Sequence, residues 1–408
     1  MTDQDNKPGS LETIRLYFED AYRTEFEAEV MARPESQGRP VIVLDRTCFY
    51  PESGGQPSDK GMIEGVRVAQ VLEEGSAIFH FLEGEVPAAK VTCRIDWPTR
   101  FDHMQQHTGQ HILSQAFFEL MKGETMSFHL GESLSTLEIG VPKITDEEVE
   151  KVEELANRVI FEDREVRTYF VSEDLIQTVP LRKPPKKKGL IRVVEVAGFD
   201  YSACGGTHCR RAGEVGMIKI TKWDKIRENL RFEFVCGRRA LRDYAAKNRI
   251  LRQLGGQLSV GEQEVPASLE RLLGEAKSLK KKMKKMQERL AEFEAQETIQ
   301  KSKADVIRAV LSDKSPEEAK FLALNIIKRG NFTVLYGVRG EARDHLILAA
   351  SDKSGRDLRR LVPAISSMIK ARGGGSPSLV ELVSEERLDL EAVLGEIYEI
   401  LIKNEPHS

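Results

Sequence analysis

The stretch FDHMQQHTGQHILSQAFFELMK, residues 101–122, decides how this chain is read. Its apolar residues Ile112, Leu113, Ala116, Phe117 and Leu120 recur at helical spacing, so a helix is expected here. The same stretch sets His107 and His111 four residues apart. On a helix, positions i and i+4 differ by about 40° in azimuth, which lets two imidazoles point at one ion. About a hundred residues later comes CGGTH, residues 204–208, where Gly205 and Gly206 permit a turn tight enough for Cys204 and His208 to converge.

One cysteine and three histidines suit a tetrahedral, borderline-soft ion, so the expected cofactor is zinc, one per chain, on His107, His111, Cys204 and His208. Each motif alone is weak, because a histidine pair on a helix is often a surface accident. Together, in a chain with only eight histidines, they are hard to dismiss. His103 lies one turn further back on the same face and Cys209 adjoins His208, so spacing alone leaves the choice among these neighbours open. A zinc-protease helix carries glutamate directly after its first histidine as general base; Thr108 stands there, which argues against that class.

At 408 residues the chain is expected to hold two or three domains, and 40% hydrophobic residues suffice for their cores. A net charge of -4 argues against a uniformly basic coat. Between Arg182 and Asp243, however, sixteen Lys and Arg stand against seven Asp and Glu, which suits a polyanionic partner. The start, MTDQDNKPGS, has neither the basic nor the apolar part of a secretory signal, and no apolar run reaches membrane-spanning length; a cytoplasmic location is expected. Five cysteines in a reducing compartment read as thiols or ligands rather than disulfides.

The expected class is α+β. Residues 1–100 alternate β-rich runs (RPVIVLD, VRVAQVL, AIFHFLE, AKVTCRIDW) with turns such as PESGGQPSDKG, the texture of a small β-barrel. Residues 101–247 mix the helix above, a second helix opening on Thr145 as N-cap, and strands at SFHLG, STLEIG, VRTYFV, IRVVEV, MIKITKW and RFEFVCG. In 248–303, Leu269, Leu272, Ala276, Leu279, Met283, Met286, Leu290 and Phe293 alternate by three and four, the seam of a coiled-coil arm. Residues 304–408 read as a small α/β domain, with paired strands FTVLYGV and HLILAAS, an amphipathic helix DLRRLVPAISSMIKA, and GGGSPSL as a glycine-rich loop before two more helices.

HTGQHIL with CGGTH, preceded by TCFYPESGGQPSDKG and followed by SFHLG, resembles the editing domain of alanyl-tRNA synthetases and their free-standing AlaX relatives over residues 12–245. The arm and the C-terminal region resemble the DHH-associated domain of the long AlaX form; where that family has a longer glycine run, this chain has SPSLVELV. No segment resembles a class II synthetase catalytic core. The resemblance implies a hydrolase acting in trans on tRNA(Ala) carrying a wrong amino acid, serine first and glycine second. A site that accepts alanine rejects neither by binding alone, so a second hydrolytic site is the physical remedy.

The expected catalytic residues are Thr47, matched to the family threonine before FYP and read as the partner of the serine hydroxyl; Gln56, orienting ester or water; and His129, an acid/base or adenosine contact. An unpaired buried hydroxyl costs about 1–3 kcal/mol, roughly ten- to hundredfold in selectivity. Gly54 and Gly55 are expected at the substrate, and Lys186, Lys187, Arg210 and Arg211, with the pair at 238–239, at its phosphates. Pairing of two chains through the coiled coil or the C-terminal domain is a further expectation. A non-catalytic zinc-containing tRNA-binding protein is the rival reading, and a phosphoesterase in the C-terminal domain a third, against which stands the lack of clustered Asp and His for two metals.

Overall fold

The computed structural model describes residues 11–36, 38–185, 188–340 and 342–403. The chain is a mixed α+β protein that divides after Gln253 into two compact units, so that the stretches read as 1–100 and 101–247 share the first.

The first unit begins with antiparallel strands. Glu25–Ala32 pairs with Lys90–Ile95, which pairs in turn with Gly61–Ile63, Val66–Glu74, Ala77–Leu82 and Arg39–Leu44; Arg39–Leu44 pairs again with Glu25–Ala32, so the ladder returns to its start. Alternation explains the packing. In Lys90–Ile95, Val91, Cys93 and Ile95 point inward to Phe26, Phe49, Val71 and Ile78, while the charged residues point out.

His80 lies fully buried in this sheet, with its Nε2 2.9 Å from Thr47 Oγ1 and its Nδ1 3.3 Å from the Ile42 carbonyl. Burial pushes its pKa down to about 4. Between the unperturbed value and that one, the unfolded chain binds a proton the folded chain refuses. Stability is therefore full above about pH 6.5 and falls as pH drops toward 4, by about 3 kcal/mol. In urea titrations across this range, His80→Gln is expected to flatten that part of the pH dependence; parallel losses in wild type and variant would contradict it.

Helix α1 (Trp97–Met121) starts four residues before the stretch expected to be helical, with a proline in its first turn. It is buried without a break from His103 to Ser114, and its polar residues there find partners: Gln106 pairs twice with the backbone of Cys236, at 3.1 and 2.9 Å. Of the expected stripe, Ile112, Leu113, Ala116 and Phe117 are buried, but Leu120 is exposed near the helix end. Against α1 pack helix α2 (Asp146–Phe161) and the antiparallel sheet Thr125–Leu130, Ser135–Ile139, Asn229–Cys236 and Ile218–Ile226, with Phe117 on Phe232 at the centre. Thr145 caps α2 as expected, in a reciprocal box with Glu148. A three-stranded sheet, Val166–Ser172, Leu190–Val196 and Asp200–Ala203, ends where CGGTH begins.

Arg100 of α1 is buried against Asp59, which also accepts the Tyr50 amide at 2.6 Å; Arg100 reaches the Ala21 carbonyl at 2.7 Å as well. This pair ties the FYPESGGQPSD segment to the histidine helix.

Helix α3 (Gly237–Leu258) leads from the first unit into the second. In the second, helix α4 (Val265–Lys301) buries only Val265, Ser268, Ala291 and Ala295. The predicted seam lies exposed along it, Leu279 at 64% and Met286 at 71%. A five-stranded sheet orders Val306–Leu311, Thr333–Arg339, Asp344–Ala350, Leu379–Ser384 and Ala371–Ser376, flanked by α5 (Pro316–Ile327), α6 (Val362–Ile369) and α7 (Leu390–Lys403). The expected glycine-rich loop is instead strand Ala371–Ser376, and the first of the two expected helices is strand Leu379–Ser384. A Cβ on Gly373 would stand 2.1 Å from the Glu381 carbonyl oxygen, so glycine is there for close pairing of strands.

Candidate metal centre

Helix α1 presents His107 and His111 one turn apart, and the turn after Asp200–Ala203 brings Cys204 and His208 to them. The ligand atoms of the four all lie within 4.8 Å of one another; the three histidines are buried and Cys204 is partly exposed. Cys204 Sγ is 3.4 Å from Nε2 of His107 and 3.4 Å from Nε2 of His208. Around a tetrahedral zinc, with metal–sulfur about 2.3 Å and metal–nitrogen about 2.0–2.1 Å, sulfur and nitrogen stand roughly 3.6 Å apart, so the cluster fits that ion. His103 and Cys209 are outside it.

Each histidine is held by its other nitrogen. His107 Nδ1–H donates to Gln56 Oε1 at 2.8 Å; that oxygen also accepts the Thr207 amide at 3.1 Å, and Gln56 Nε2 donates to Thr207 Oγ1 at 2.8 Å. His111 Nδ1–H donates to Asp200 Oδ2 at 3.0 Å, and Asp200 is fixed in turn by Arg182 at 2.8 Å. His208 Nδ1 lies 3.2 Å from Thr108 Oγ1, which accepts the Cys209 amide at 3.0 Å. The proton is thus placed on Nδ1 where its partner only accepts, leaving Nε2 for the cluster.

The electrostatics favour a thiolate beside a cation. Burial opposes ionisation of Cys204, but His107 and His208 hold its thiol well below the ordinary value. Burial likewise opposes charge on His111, yet Asp200 and the Cys204 sulfur hold its imidazole up at about 9. Burial drives His208 well below the usual histidine value.

Arg192 Nη1 clamps the turn by donating to the carbonyls of Cys204 and Gly206, each at 2.9 Å. A Cβ on Gly206 would stand 2.1 Å from His107 Cε1, so Gly206→Ala is expected to push His107 aside and weaken metal affinity at least tenfold while leaving the far-UV spectrum unchanged. A zinc-competition titration checks this; an unchanged affinity would contradict it.

The other predicted site residues fall elsewhere. Thr47 is fully buried inside the first sheet, its hydroxyl held by His80 and by the Phe49 amide at 3.0 Å, so it is not free to read a substrate. Gln56 is fully buried and positions His107 rather than an ester or water. Phe128 faces His107, with ring centroids 5.6 Å apart; by alternation His129 lies on the opposite, exposed face of its strand. Gly54 and Gly55 form the turn before Gln56, and the Gly55 carbonyl accepts the Leu130 amide at 2.9 Å. Arg210 pairs with Asp20 and stacks on Tyr22, and Arg211 pairs with Asp163, all at the surface. Lys186 and Lys187 lie outside the described residues. Sequence reasoning missed Asp200, Arg182, Arg192 and Thr207, and gave Thr108 only a negative role.

Two family models match parts of the chain: the threonyl and alanyl tRNA synthetase second additional domain over residues 191–232, and the class II (A) tRNA synthetases over residues 17–99. The stretch covered by the second is the antiparallel strand system of the first unit. The alanyl-tRNA editing protein AlaX-L of Pyrococcus horikoshii is 30% identical over 398 residues, 92% of this chain and 96% of that protein. The alanine–tRNA ligases of Pyrococcus furiosus and Methanoregula boonei are 30% and 32% identical over 93% and 94% of this chain, which spans only 42% and 43% of their lengths. A likeness to the C-Ala domain of Aquifex aeolicus alanyl-tRNA synthetase, at TM-score 0.22 and 18% identity over 24% of this chain and 89% of that one, carries no argument.

The class so defined is that of editing proteins related to tRNA synthetases. Within it, the chain belongs to the AlaX family of alanyl-tRNA editing proteins, and its enzyme class is aminoacyl-tRNA deacylase.

Proposed function

We propose that the cluster of His107, His111, Cys204 and His208 holds one zinc ion, and that beside it the ester joining serine, and secondarily glycine, to the 3' end of tRNA(Ala) is hydrolysed. The observation that carries this is the convergence of four donors, each imidazole fixed through its far nitrogen, in a chain whose full-length relative is an alanyl-tRNA editing protein. When bound, zinc supplies Lewis acidity toward an ester carbonyl or a water. The chain's own residues supply order: Gln56 and Asp200 fix ring orientation and tautomer of His107 and His111, Thr108 orients His208, Arg192 holds the cysteine turn, and Phe128 closes one side of His107 against water. Serine's hydroxyl requires a polar partner other than Thr47, whose own hydroxyl is committed.

The test is release of serine from Ser-tRNA(Ala) by the full-length, metal-loaded protein, with Ala-tRNA(Ala) as control. Serine release well above that of alanine is expected; inertness toward both overturns the reading. The closure of four protein donors on one point favours a second reading, a zinc-stabilised tRNA-binding protein, which predicts tRNA binding with no turnover at full metal. The exposed seam of α4 supports pairing of two chains, which sedimentation at increasing concentration tests.

A further inference from the structure

We infer that a cavity at the beginnings of α1 and α3, apart from the metal cluster, binds backbone phosphate of the RNA just before its reacting 3' end. This deepens the function proposed above and rests on it. The cavity measures about 670 Å³, in the range of small-ligand sites, roughly 300–1,000 Å³. It is lined by the first two turns of both helices, at Pro98 to His103 and Arg238 to Asp243, and by Lys60 and Glu132.

Its charge is arranged for an anion. Lys60, Arg238, Arg239 and Arg242 face Asp102, Glu132 and Asp243. The carboxylates are already engaged: Asp102 by Arg239 at 2.6 Å, Glu132 by Lys60 at 2.9 Å, and Asp243 by Lys247 at 2.7 Å. Arg239 is held further by the Gly131 carbonyl at 2.7 Å. Among the described residues no ion pair involves Arg238 or Arg242, so two guanidinium groups remain for a ligand.

The independent observation is His103. It lines the cavity, is only 4% exposed, and its Nδ1 is buried with no hydrogen-bond partner. Buried polar atoms are almost always paired, so an orphan nitrogen on a ring that lines a cationic cavity is one that a turn of the ring would offer to a ligand's polar group. His103 precedes His107 by one helical turn, roughly 6 Å along the axis. An RNA strand that enters along this face of α1 places its last nucleotide at the cluster and its preceding backbone at His103, with Arg238 and Arg242 at the rim. Single-stranded RNA presents such phosphates in series, and an electropositive groove that follows them is how proteins guide it.

The test uses the full chain and uncharged tRNA(Ala), with binding followed by anisotropy through a salt series. R238Q/R242Q is expected to weaken binding about tenfold and to reduce the slope of log affinity against log salt by roughly 1.5 to 2. Affinity within twofold of wild type with an unchanged slope overturns the inference. In ¹⁵N-imidazole spectra, with the resonance identified by His103→Asn, the His103 signal is expected to move when tRNA is added. A shift with inorganic phosphate and none with tRNA would assign the cavity to a small phosphate ligand and also overturn it. Serine release by wild type is measured alongside: failure there, with the arginine-dependent slope intact, removes the editing reading alone, whereas serine release with an unchanged slope removes only the phosphate site.

Discussion

Cys204→Ala is expected to lower zinc affinity by about two to three orders of magnitude, and C204A/H208A to leave the purified protein without stoichiometric metal and without serine release. Structural zinc sites bind with about 10–16 kcal/mol, so one of four ligands accounts for about 3 kcal/mol, roughly a hundredfold or more. The loss is at the high end here because Cys204 is the cluster's one anionic donor, and its removal leaves three imidazoles. A chelator-competition titration reads the affinity directly, and circular dichroism shows whether the sheet that ends at Ala203 survives. Serine release unaffected by C204A would contradict the role given to the cluster.

The second large effect concerns the fold that carries the site. Asp59→Ala is expected to destabilise the first unit by about 3–5 kcal/mol, because Arg100 is almost wholly buried and would keep only backbone carbonyls as partners. A buried charge deprived of its counter-ion costs far more than the pair contributes. Replacing both residues, as D59M/R100M, is therefore expected to recover most of the loss. The urea midpoint of the first unit's transition measures this. A D59A midpoint close to wild type would show that the pair does not hold α1 to the FYPESGGQPSD segment.

How much of this was legible beforehand depends on the range of the signal. His107, His111 and α2's cap at Thr145 announce themselves within four residues, where helical periodicity alone brings side chains together. CGGTH is equally local. Exclusion of His103 was not legible: on a helix it can pair with His107 as well as His111 can, and only the place where the cysteine turn lands, fixed by a sheet sixty residues and more downstream, makes the choice. The residues that orient the ligands are likewise distant in sequence. Gln56 is fifty-one positions from His107 and Asp200 eighty-nine from His111, so no spacing rule points to them.

Three differences between expectation and structure have physical causes as well. Gly373 to Gly375 read as a loop because glycine usually signals backbone freedom, whereas at Gly373 and Gly375 a neighbouring strand's carbonyl leaves no room for a side chain. Strand Glu25–Ala32 is not among the β-rich runs the sequence suggests, although Phe26 and Ala28 alternate with glutamates, because so acidic an outer face lowers apparent β-propensity. Thr47 was matched by motif to a substrate-reading role; its burial beside His80 follows from the inward register of the strand system, which a motif does not encode.

The most direct measurement is the metal content of the full-length protein, purified without chelators and shown to be folded. One zinc per chain, lost together with serine release in C204A/H208A, is the predicted result. A folded protein that releases serine from Ser-tRNA(Ala) while holding no stoichiometric metal would contradict the account.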